Sequence, residues 1–249
     1  MTLIDHLTLL TLGDGLAAAF ILLAWATVGW VIEHPPAGRP SVSTLMVSYR
    51  MDWMQAFEAR DNRIFDAQIM GTLRQGTSFF ASTSILAIGG VLALIGNTDQ
   101  LRGVAQEFAN ADAPEFIWQL KLVLVGFFLT FAFLKFVWAH RLFGYCAVVM
   151  GAVGRAGEER GARLWKQAAE LNIRASVNFT RGLRAMYFAL GALGWLVGPI
   201  ALAVTTIGIT PRGAYRTAEV AVFPLVPAWL FLMLAAVLIL AAWLREGRR

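Results

Sequence analysis

Charge is scarce in this chain. Asp, Glu, Lys and Arg make up 15% of its 249 residues, where a soluble domain carries about 25%. Cysteine is nearly absent: Cys146 stands alone, which excludes an intramolecular disulfide and any paired-cysteine metal site. The start of the chain, MTLIDHLTLL, has no Lys or Arg before its first apolar run. A cleavable signal peptide begins with a basic region, so that run is expected to stay in the protein. Catalytic signatures are missing too. There is no Gly-x-Ser-x-Gly, no HExxH, and no phosphate-loop or dinucleotide fingerprint, and GNTDQLRG at 96–103 reads as a loop. The expectation is a protein that is not an enzyme and carries no cofactor or metal.

What the chain has in abundance is apolar sequence: 58% hydrophobic residues and a mean hydropathy of +0.62. A helix crossing a hydrocarbon core of ~30 Å needs roughly 20 apolar residues. Five runs reach or approach that length, at about 10–32, 77–95, 116–139, 185–209 and 218–243. The third is interrupted by Lys121 and Lys135, and the fifth holds Pro224 and Pro227 near one end.

The net charge of +5 is unevenly placed. The connection 33–76 carries Arg39, Arg50, Arg60, Arg63 and Arg74, and the connection 140–184 carries eight Lys and Arg residues. The connection 96–115 has only Arg102 among its basic residues and holds Asp99, Glu107, Asp112 and Glu115. Basic loops stay in the cytoplasm, where they also face anionic lipid. The topology expected is a bacterial inner-membrane protein with its N-terminus outside and its C-terminus cytoplasmic. The charge is then a lipid-facing property, and nucleic acid is not an expected partner.

The two basic connections carry helical patterns. Met46, Tyr49, Trp53, Phe57 and Ile64 recur at helical spacing, as do Leu164, Ala168, Leu171, Ala175 and Phe179. Lys166, Gln167, Glu170 and Arg174 take the opposite face of the second pattern. Neither pattern meets a breaker before the next apolar run. The second and fourth membrane helices are therefore expected to begin in the cytoplasm as amphipathic segments, about 42–76 and 155–184, which bury their apolar faces against each other. Docking of one segment on the lipid surface is the competing reading.

Several polar residues sit where polarity is costly. Asp14 and Lys121 have opposite signs and compatible depth near the outer side; a site for a solute or ion weighs against a structural pair or separate snorkelling. Lys135 reads as a snorkelling residue at the inner end. His34 and His140 lie at similar depth, as a ligand pair or as two headgroup-level polar residues. Gly194 and Gly198, like Ser78 and Ser82, have the spacing that lets helices approach closely.

The run DNRIFDAQIMGTLRQGTSFFASTSIL at 61–86 resembles the signature of domain-of-unknown-function family 599, multi-pass membrane proteins of bacteria and plants. KFVWAHRLFGY at 135–145 and GLRAMYFALGALGW at 182–195 are similar to it as well. The resemblance implies a membrane fold and no activity. It also implies that Asn62, Arg63, Asp66 and Gln68 belong to a family pattern, and hence to a hydrogen-bonded patch that joins the two extensions or receives a partner. Arg50 is expected to be dispensable by comparison. The whole is read as one all-α domain, 1–249: a polytopic membrane helix bundle of about five transmembrane helices with amphipathic extensions packed on the cytoplasmic side. Its expected role is that of a docking, assembly or regulatory component of a larger membrane complex, or one that self-associates. The alternative is a small transporter or channel using Asp14 and Lys121.

Overall fold

The structure, a computed structural model, describes residues 12–35, 41–97, 115–154 and 159–209. Among them every regular element is helical: α1 (Leu12–Glu33), α2 (Val42–Ala59), α3 (Ile64–Gly96), α4 (Glu115–Ala152), α5 (Glu159–Ala192), α6 (Gly194–Val197) and α7 (Pro199–Ile209). The fold is an all-α bundle, and α1, α3 and α4 are each long and apolar enough to cross a membrane. The expected span 218–243 and most of the acidic connection lie outside the described residues.

Two helices are far longer than a bilayer requires. At 1.5 Å per residue, α3 runs about 50 Å and α4 about 57 Å, against a hydrocarbon core of ~30 Å. They pack antiparallel, so that Val91, Leu94 and Ile95 of α3 meet Trp118 and Leu122 at one end, and Met70 and Leu73 join Leu142, Phe143 and Cys146 near the other. The surplus length of both falls at this second end. There it forms a helical subdomain with α2 and the first half of α5, whose core includes Met54, Phe57, Met70, Met150, Ala168 and Ala175.

The subdomain was legible in α5, where Leu164, Ala168, Leu171, Ala175 and Phe179 turn inward and Lys166, Gln167, Glu170 and Arg174 are exposed. Two expectations need correction. The third apolar run does not stop at Ala139; α4 continues through His140 and Arg141 to Ala152, because Leu142, Phe143, Cys146 and Met150 give its extension an apolar face to bury. On α2 the inward face is rotated from the one expected. Met54 and Phe57 are buried, while Met46, Tyr49 and, at the start of α3, Ile64 are exposed. The rotation brings Arg50 inward, where a buried acceptor awaits it on α5. The start of α2 is tied to the end of α1 by Ser41, whose hydroxyl donates to the Ile32 carbonyl at 2.9 Å and accepts from the Thr44 amide as a helix cap.

Above the subdomain the rings of Phe80, Phe136 and Phe179 pack at centroid distances of 5.4–5.7 Å. Gly182 permits this closeness, since a Cβ there would lie 2.6 Å from the Phe136 ring. The stretch 185–209, expected as one membrane run, is divided. The chain turns at Gly198, whose φ of 156° suits glycine, and Pro199 opens a short helix that folds back on α5. A Cβ at Gly191 or Gly194 would collide with Ile209 or Thr205 of the returning helix. The Thr205 hydroxyl donates to the Gly191 carbonyl at 2.9 Å, one of the groups that the end of α5 leaves without a helical partner. Gly194 is thus used for packing within the chain. On α3 the small residues facing the bundle are Thr77, Ala81 and Ser84, while Ser78 and Ser82 point away from it.

Candidate functional site

Polar side chains gather at three depths. The deepest group holds the corner between α2 and α3. Asp66 is wholly buried, and its Oδ1 accepts from Trp53 Nε1 at 2.6 Å and from Arg60 Nη1 at 2.5 Å. Arg63 lies over the Phe57 ring, 4.6 Å from its centroid, and donates to the carbonyls of Val153 at 2.6 Å and Gly154 at 2.9 Å. A cation is thereby placed at the negative end of the α4 dipole, where it satisfies carbonyls the helix leaves open. Asn62 Oδ1 accepts from the Ile64 amide at 3.0 Å and so starts α3. Gln68 is exposed on the outer side of α3 and stands apart from the others. Of the four residues singled out in the sequence, the structure brings Asn62, Arg63 and Asp66 to one corner.

Beside that corner is a group the sequence did not reveal. Arg50 donates to Asn172 Oδ1, and Asn172, wholly buried on α5, lies 3.9 Å from the Cys146 sulfur. The Cys146 thiol donates to the Ala168 carbonyl at 3.2 Å. Burial works against the charge of Arg50 and lowers its pKa from the ordinary guanidinium value. Arg50 is therefore not a solvated surface residue: it links α2 to α5 through the core. Its signal was faint, one Arg on a helix with exposed neighbours, and its partner Asn172 is more than a hundred positions away.

The second depth marks the junction of the subdomain with the membrane bundle. Glu33, at the end of α1, accepts from Arg181 at 2.6 and 2.8 Å and from Arg184 at 3.1 Å. The Glu33 carboxylate, chiefly by hydrogen bonding, raises the Arg181 pKa. Nearby, His140 Nδ1 lies 3.2 Å from the Thr77 hydroxyl, while His34 Nδ1 is 3.1 Å from the Trp30 carbonyl of its own helix. Each histidine is thus held by local partners, and the described residues contain no cluster of three or more His, Cys, Asp or Glu suited to a metal.

At the far end Asp14 and Lys121 are both buried. Trp195 Nε1 donates to Asp14 Oδ1 at 2.7 Å, and the Lys121 ammonium lies 5.0 Å from the Trp118 ring and 6.0 Å from that of Trp195. Trp195 was not singled out in the sequence as a partner, yet it ties α6, just beyond the top of α5, to α1.

The sequence profile of the family described as "Protein of unknown function, DUF599" matches residues 16–217. The chain belongs to the DUF599 family. No curated protein and no solved structure matches it significantly. The DUF599 match takes in Arg50, Trp53, Asp66, Lys121, Asn172 and Trp195, and leaves Asp14 just outside its first residue.

Proposed function

We propose that this DUF599 protein is a non-catalytic docking or assembly component, with its helical subdomain on the cytoplasmic side of a bacterial inner membrane. The observation that carries this reading is a pair of side chains at the bottom of the subdomain. Ile64 is 75% exposed and Phe65 67% exposed, beside a corner whose polar groups are bonded inward. The apolar part of α3 begins after Arg74, about 15 Å further along the helix, so these two side chains stand well below the lipid. Lipid docking suits the membrane end of α2 but does not reach them. An apolar pair on a rigid scaffold is instead the kind of anchor a protein interface buries at its centre.

The test is purification in mild detergent with mass spectrometry of what accompanies the protein. A partner in fixed stoichiometry is expected. It should be lost from Ile64→Ser/Phe65→Ser, while the variant keeps the parent's melting temperature. A partner that stays bound to the folded double variant would sink this reading, as would a parent that purifies alone. If the parent instead retains a small solute, and Lys121→Ala releases it, the buried Asp14–Lys121 pair favours transport.

Orientation has its own expected result. In a Cys146→Ser background, a thiol reagent that cannot cross the membrane should label a cysteine placed at Asp99 in intact cells. A cysteine placed at the exposed Lys166 should react only after permeabilisation. The reverse pattern would turn the molecule over.

A further inference from the structure

The seam where α1 packs on α4 joins an aromatic wall to a surplus of positive charge. On α1, Trp25, Gly29 and Glu33 follow one another at four-residue steps, and on α4 Phe127, Phe131 and Lys135 do the same. Residues so spaced lie on one helix face. The two series are in register. Trp25 packs edge-on against Phe127 at 5.9 Å and Phe131 at 5.0 Å, and Glu33 and Lys135 each follow eight residues further along their helices. Trp25 and Phe131 are only partly buried and Phe127 is exposed, so the wall faces lipid. It extends about 12 Å from Phe127 to Lys135, close to the depth of one leaflet.

At the foot of this wall Arg181 and Arg184 share the Glu33 carboxylate, the one acidic group paired with them among the described residues, and Lys135, whose ammonium lies 5.2 Å from the Phe131 ring centroid, is the third cation. Three cations against one anion leave the cluster two positive charges in excess. Arg184 reaches over Gly29, where a side chain would crowd its guanidinium.

We propose that the outer face of this seam binds one anionic phospholipid from the leaflet on the subdomain side, with its phosphate at Lys135, Arg181 and Arg184 and an acyl chain along Trp25, Phe127 and Phe131. Basic pockets between membrane helices at the headgroup level are suited to such headgroups. The phosphate brings the negative charge that Glu33 alone does not supply. The aromatic wall ends where the cations begin, which is the polarity profile of a phospholipid and not of a free anion. The inference concerns lipid alone and is independent of any protein partner.

The test is native mass spectrometry of the full chain, released from nanodiscs containing equal phosphatidylglycerol and phosphatidylcholine. The parent should retain phosphatidylglycerol several-fold over phosphatidylcholine. Lys135→Gln should bring the ratio close to one, Lys135→Arg should preserve it, and Lys166→Gln, on the exposed face of the subdomain, should leave it unchanged. Equal retention of the two lipids by the parent would overturn the proposal, and so would a preference that survives Lys135→Gln. Loss of the preference in Lys135→Arg as well would mark the effect as structural and overturn it too. If excess inorganic phosphate displaces the bound lipid, the occupant is a free anion and the lipid assignment fails.

Discussion

Arg60→Ala is expected to loosen the subdomain far more than the exposure of Arg60 suggests. Its side chain is 42% exposed, and an ion pair at such a position ordinarily contributes well under about 1 kcal/mol. The partner changes the outcome, because Asp66 has no access to solvent. Removing Arg60 leaves a buried carboxylate held by Trp53 alone. Losing one partner of a buried pair costs roughly 3–5 kcal/mol, and the exposure of Arg60 places the expected loss near the low end, about 3 kcal/mol. Adding Asp66→Asn should recover part of it, since the neutral amide keeps an acceptor for the Trp53 N–H without a buried charge. Denaturant melts followed by proteolysis within α2 would measure this. Equal losses for Arg60→Ala with and without Asp66→Asn would show that the charge of Asp66 is not what Arg60 compensates.

The second large effect is expected at the opposite end. Lys121→Ala should destabilise the bundle by roughly 3–5 kcal/mol, because it removes a buried cation held over the Trp118 and Trp195 rings beside the buried Asp14. Asp14→Asn in the same chain should restore part of that stability. Trp195→Phe should cost less, on the order of 1–3 kcal/mol, since it removes one hydrogen bond and leaves the two charges together. Thermal melts in a single detergent would rank the variants. Strictly additive losses for Asp14→Asn and Lys121→Ala would mean the two groups do not interact.

Both expectations concern residues whose type was informative in the sequence and whose partners were not. Asp14 and Lys121 stood out because charge inside an apolar run is expensive. Trp195 looked like any aromatic in a membrane helix. Its place against Asp14 follows from α5 rising antiparallel to α1 between the Glu33–Arg181 contact and the Asp14–Trp195 contact. Asp66 was noticed for its place in a resembling motif, yet nothing near it in sequence showed that it would be shut away from water. Arg50 shows the same limit more sharply. A lone Arg midway along an amphipathic helix reads as solvated, and its burial is set by Asn172 on another helix.

The sequence by itself determined what depends on local composition and period. The apolar runs, the continuous passage from α3's polar start into its membrane part and the inward face of α5 all rest on spacing along one helix, and spacing is written in the chain. Only the tertiary structure decided how those helices meet. It extended α4 below the membrane because neighbouring helices offered an apolar face to bury. It rotated α2 so that a buried Asn172 met Arg50, and it folded α7 back at Gly198 because Gly191 and Gly194 left room for Ile209 and Thr205. Each of these outcomes is fixed by a partner distant in sequence, and the free energy of burying a face or pairing a charge depends on that partner as much as on the residue itself.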